Sequence, residues 1–272
     1  MKLRTFGLTL IGAASLVVLP ACTKDDAPKP TTPTTPTAEQ GKPATTPEAT
    51  PTQAQTPSAP AGKSTIRGVV KFTGTAPAPA DIPASADPAC EGMPQKEPAV
   101  LVKDGKLQNV LVRVKGNVSG APAAPSAPVV IDQVKCMYTP RVLGAQAGQP
   151  IQVKNSDGTL HNVRAMAGSK PIFNLAQPPS MPPVTKNAPT DAELVTLKCD
   201  VHPWMRSYIA VSPHPYFSTT GEDGSFSLAA LPAGTYTLEA WHETFGTKTA
   251  EVTVKDGETA EASFEFSGTD KG

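Results

Sequence analysis

The chain has no charge of one sign to spare: 24 Lys and Arg balance 24 Asp and Glu. Nucleic-acid binders concentrate basic charge on one face, so nucleic acid is excluded as an expected partner. Aromatic residues are scarce, at 5% of the chain, and the apolar residues fall in short β-branched runs, with no stripe at helical spacing. A long helical core is therefore not expected. With 31 prolines, the composition reads as all-β with long connections. The C-terminal stretch also lacks paired carboxylates, or a nucleophile and base, at a spacing that suits catalysis, so no enzyme site is expected there. Only four histidines and four cysteines occur, which makes their placement informative.

The N-terminus carries Lys2 and Arg4, an apolar run from Phe6 to Leu19, and then "LPAC". This is the order of an export signal, and the apolar run is too short to span a bilayer. "LPAC" resembles the lipobox of bacterial lipoproteins, which implies that residues 1–22 are a signal and that Cys22 is lipidated. Thr23 follows it, not aspartate, which by the sorting rule known for such lipoproteins implies an outer-membrane anchor facing the periplasm. Residues 23–63 are Pro, Thr, Ala and Gln with hardly a large apolar side chain. Such a segment cannot offset the entropy of ordering and reads as a disordered tether. At ~3.1 Å per residue in an extended proline-rich form, about forty residues reach roughly 120 Å.

In an exported chain the remaining cysteines, Cys90, Cys136 and Cys199, need partners. Cys90 lies in a loop-like "DPACEGMP" and Cys136 in a strand-like "VVIDQVKCMY". Neither has a histidine or methionine arranged for metal binding, so they are expected to pair as a disulfide. Cys199 stands apart in "LKCDVHPWM", with His202 and Met205 three and six residues on. Alternation in "ELVTLKC" points Val195, Leu197 and Cys199 to one face, and alternation in "TLHNVRA" does the same for His161 and Val163. If those strands are neighbours, His161 and Cys199 meet at one end. Two imidazoles, a thiolate and a long axial thioether are the ligand set of a blue-copper site, and the soft sulfur donors favour copper over zinc or calcium. Pro203 stiffens the loop, so the ligands should move little between Cu(II) and Cu(I).

"CDVHPWM" resembles the copper-binding loop of amicyanin and other plastocyanin-like cupredoxins. "HNV" is similar to the upstream histidine segment of that family, and the likeness runs back through "VVIDQVKCMYTPRVLGAQAGQPIQVKNSDGTLHNV". It spans about Pro128 to Val211. It implies a Greek-key β-sandwich holding one type 1 copper per chain through His161, Cys199, His202 and Met205, with Asn162 pinning the ligand loop. It also implies a redox protein donor and acceptor. Trp204, Tyr216 and Phe217 are expected to form an apolar docking patch around an exposed edge of His202.

Downstream, "STTGEDGSFSLAALPAGTYTLEAWHE" and "TAEVTVKDGETAEASFEF" alternate between turn signals and read as short antiparallel strands. They resemble the carboxypeptidase regulatory-like, transthyretin-related β-sandwich. "TIRGVVKFTG" and "LQNVLVRVKG" look like its first strands, so residues 64–127 and 212–268 are expected to form one small Ig/transthyretin-like sandwich with residues 128–211 inserted. The other arrangement is two domains in series. His214 and His242 are read as structural, bonding across the domain junction, in preference to a second metal site. The expected function is an envelope-anchored carrier of single electrons. The alternatives are a metal-free structural or ligand-binding envelope sandwich, and a copper-sequestering protein.

Overall fold

A computed structural model describes residues 62–83, 87–93 and 96–272. The signal at 1–22, the lipidation site Cys22 and nearly all of the 23–63 tether lie outside the described residues. What is described is nearly all β, with a single short 3-10 turn, Pro88–Cys90. Among the described residues no helix is long and apolar enough to cross a membrane.

In chain order come β1 (Ser64–Thr73), β2 (Val102–Lys103), β3 (Lys106–Leu107) and β4 (Leu111–Val114). The next group is β5 (Val129–Val134), β6 (Met137–Thr139), β7 (Val142–Gln146), β8 (Pro150–Asn155), β9 (His161–Ala167), β10 (Lys170–Gln177), β11 (Val184–Asn187), β12 (Leu194–Lys198) and β13 (Arg206–Ser212). The last are β14 (Phe217–Thr219), β15 (Ser225–Leu231), β16 (Gly234–His242), β17 (Gly246–Val254) and β18 (Thr259–Ser267).

Pairing shows how these groups are nested. β1 pairs with β15 on one side and, in parallel, with β18 on the other, and β4 pairs with β14 and β16. Strands from both ends of the described chain thus build one sandwich, and the group β5–β13 is inserted between them. The inserted group makes two sheets of its own, in the orders β10-β9-β12-β13-β7 and β11-β8-β5-β6.

Period-two burial explains each core. Along β9 the residues His161, Val163 and Ala165 point inward, as do Val195 and Leu197 of β12. They meet Ile131, Ile151 and Val153 from the opposite sheet. The outer sandwich packs Ile66, Val70, Phe72, Phe264 and Phe266 against Val112, Leu238 and Ala240. Burial of such side chains stabilises by about 1.5–3 kcal/mol each, which is the main force closing both sandwiches.

At their junction Leu111, Val142 and Ala210 form a small cluster with Tyr208 and Trp241 packed on it. Two arginines lock it. Arg141 makes 2.7 Å contacts with both carboxylate oxygens of Glu243 and reaches Glu97, while Arg113 donates to Glu239 and to Val211 O. Gly144 of β7 leaves room for the Phe217 ring, because a Cβ there would lie 2.2 Å from that ring.

Candidate metal centre

The register places the site. β9 and β12 are antiparallel neighbours with Leu197 opposite Ala165, so His161 at the start of β9 and Cys199 just beyond β12 share one end. From there the chain must turn back into β13 within a few residues. Met205 N donates to His202 O at 2.9 Å and Cys199 N to Met205 O at 3.3 Å, which closes the loop. His161, Cys199, His202 and Met205 are all buried. Pro203 lies exposed on the outer side of the turn.

The donor atoms converge. His161 Nδ1 and His202 Nδ1 are 2.9 Å apart, and Cys199 Sγ is 3.8 Å from His202 Nδ1. The thiol sulfur also accepts from Asn162 N at 3.4 Å and from His202 N at 3.3 Å. Asn162 holds the loop from its other side as well, its Oδ1 accepting from Asp200 N at 3.1 Å. Met205 returns beneath the loop in the same core cluster as Cys199 and Val163.

Each imidazole has a carboxylate on its outer nitrogen. His161 Nε2 lies 2.9 Å from Asp157 Oδ2, and His202 Nε2 lies 2.7 Å from Asp87 Oδ2. A carboxylate accepts only, so these partners assign the proton of each neutral ring to Nε2 and leave a lone pair on each Nδ1. Two lone pairs facing each other at 2.9 Å repel unless a proton or a metal ion lies between them. Donors at 2.9 and 3.8 Å are spaced as if sharing one first-row metal at bond lengths of ~2.0–2.3 Å. The residues present therefore fit a soft transition metal. Burial, reinforced by the neighbouring His202, pushes His161 below the ordinary imidazole range against the opposing pull of Asp157. The hydrogen bond to His202 and that from Ala89 N hold Asp87 below the usual carboxylate range. Tyr138, whose hydroxyl donates to Asn162 O, is pushed upward by burial and by the adjacent Cys199 and Asp200.

Cys90 and Cys136 form a disulfide. Cys136 does not lie in a strand, as its sequence suggested. It follows Lys135 in a turn between β5 and β6, both residues at positive φ, and both amides donate to Asp157. The charged side chain repays the strained turn with two charge-assisted bonds. The same carboxylate thus holds the turn and His161.

The expected docking patch is not there. His202 is 1% exposed, because Asp87 and Cys90 cover its outer edge, with Cys90 Sγ 3.6 Å from Nε2. Tyr216 is 2% exposed in the core of the outer sandwich, and Phe217 is half-buried against Gly144. Trp204 packs on His202 with ring centroids 5.1 Å apart and donates to Cys136 O. Hydrogen bonds of the remaining histidines run to residues two positions away in sequence. His214 bonds locally to Ser212 Oγ and Tyr216 N, and His242 Nδ1 accepts from Thr244 N. Asp87 and Asp157 were the functional residues not singled out from sequence. Asp157 stands four residues before His161, a spacing that signals it, whereas nothing local ties Asp87 to a residue 115 positions away.

Three comparisons complete the picture. Residues 209–267 match the family model of the carboxypeptidase regulatory-like domain. No curated protein matches the chain. Among solved structures, amicyanin from Paracoccus versutus is 21% identical with a TM-score of 0.28, covering 37% of this chain and 97% of its own. A Cu(I) form of an amicyanin variant is 22% identical with a TM-score of 0.27, over 37% of this chain and 98% of its own. A purple cupredoxin from Nitrosopumilus maritimus is 21% identical with a TM-score of 0.27, over 32% of this chain and 99% of its own. The described chain is thus a β-sandwich protein whose C-terminal strands match a carboxypeptidase regulatory-like domain and whose inserted sandwich carries a buried His161–Cys199–His202 cluster.

Proposed function

We propose that the inserted sandwich holds one type 1 copper ion and that the protein carries single electrons between a redox donor and acceptor, anchored to the bacterial envelope through Cys22. His161 and His202 would hold it through Nδ1, Cys199 through its thiolate and Met205 through its thioether. Copper supplies a one-electron couple and, with a thiolate, a strongly covalent bond for the electron to cross. The protein's own part is to keep the donors in place. The strand end, the short loop and the two carboxylates fix ring and sulfur positions, so little must rearrange between oxidation states. The protein donors leave no position for a substrate, and the reading is of a carrier and not an enzyme.

The observation that carries this is the convergence of two imidazole Nδ1 atoms, 2.9 Å apart, beside a buried thiol. The sealed edge of His202 favours a second reading, a protein that retains Cu(I) without exchanging electrons. Protein-film voltammetry on the copper-loaded chain separates the two: a reversible one-electron wave supports the carrier, and copper that stays reduced at oxidising potentials supports retention. Competition with Zn(II) is expected to leave copper bound.

A further inference from the structure

His202 has two ring nitrogens, and metal binding accounts for one. Nε2 points the other way, to Asp87, which belongs to the connection between β1 and β2 and not to the inserted sandwich. Two sets of bonds hold Asp87 there. Its Oδ1 accepts from Ala89 N at 2.8 Å and its carbonyl accepts from Cys90 N at 2.9 Å, so it caps the turn Pro88–Cys90. The disulfide then ties that turn to Cys136 in the wall of the inserted sandwich. His161 receives its carboxylate from four residues away, whereas the carboxylate on the His202 loop, Asp200, pairs with Arg164 and the outer segment supplies the partner of His202.

We propose that Asp87 is a positioning residue of the metal centre: it fixes the His202 ring with Nδ1 toward Cys199 and His161, and the disulfide-tied turn that carries it seals this histidine's outer edge. An imidazole with a carboxylate on one nitrogen keeps its proton on that side and presents a lone pair from the other. The inference rests on the copper reading only for the importance of Nδ1, and its first test needs no metal.

That test uses the metal-free full chain. Nitrogen-15 shifts report the His202 tautomer, and acylation by diethylpyrocarbonate, located by peptide mass spectrometry, reports access to the ring. The wild type is expected to hold the Nε2–H form and to resist acylation. Asp87→Ala is expected to mix the tautomers and raise acylation of His202 several-fold, with His214 and His242 still protected as signs of an intact fold. Asp87→Asn, which keeps an acceptor oxygen, recovers protection. With copper, affinity falls about 10- to 100-fold in Asp87→Ala, the range typical of partners that orient a metal-binding histidine. Unchanged tautomer and protection in a folded Asp87→Ala overturn the proposal. If that variant unfolds, the wild type decides: a mixed tautomer, or ready acylation of His202, overturns it too. A chain with the expected tautomer behaviour that binds no copper overturns the copper reading and leaves the positioning role standing.

Discussion

The four histidines make a natural experiment, since all are buried and they divide evenly between the two sandwiches. In the inserted sandwich His161 and His202 face carboxylates through Nε2 and each other through Nδ1. In the outer one His242 stacks on Phe245, ring centroids 4.8 Å apart, and is pushed down to about 4 by burial and then by the nearby Arg141. Burial alone therefore does not bring a histidine into a donor cluster. What separates the pairs is the partner of the second nitrogen: an acid orients a lone pair inward, whereas aromatic neighbours only exclude water.

Removing the donor that sets the inserted site apart should have the largest effect. Cys199→Ser is expected to abolish the thiolate-to-copper absorption and strong copper binding, read by optical titration; a persisting band would detach the thiol from the site. The structural histidine predicts a pH effect in the outer sandwich. Folded His242 is held below its unfolded value of about 6.5, so between pH 6.5 and about 4 the unfolded chain binds the extra proton and stability falls as pH falls. The full contribution is roughly 3 kcal/mol, present above pH 6.5 and lost by about pH 4. Urea unfolding across that window should show a shallower slope in His242→Gln than in the wild type; equal slopes would place the titration elsewhere. Asp157→Ala should weaken copper binding about 10- to 100-fold by freeing His161, without changing the number of copper ions bound. The smallest change is expected from Met205→Leu, which keeps copper and shifts its potential upward, because a thioether in such a ligand set would tune the couple more than it would hold the ion. Voltammetry of that variant checks the sign.

What could be read from sequence was what short-range physics encodes. Alternation in "TLHNVRA" and "ELVTLKC" put His161 and Cys199 on inward faces, and the loop from Cys199 to Met205 closes through bonds among its own residues. The strand signatures at Ser64–Thr73 and in the C-terminal repeats of alternation also suffice to suggest a split sandwich. Illegible were the contacts made by sequence-distant segments. Nothing in "SPHPYF" tells whether Tyr216 lines a surface patch or fills a core, since burial depends on what β4, over a hundred residues upstream, brings against it. Likewise the positive-φ turn at Lys135 and Cys136 is stabilised by Asp157, and the seal over His202 by Asp87, neither being a neighbour in sequence.

The most direct measurement is a Cu(II) titration of the purified metal-free chain, followed by visible absorption and electron paramagnetic resonance. An intense blue band saturating at a single copper per chain, with narrow hyperfine splitting, is the predicted result. A colourless protein giving only weak copper signals would contradict the claim that His161, Cys199, His202 and Met205 form a type 1 copper site.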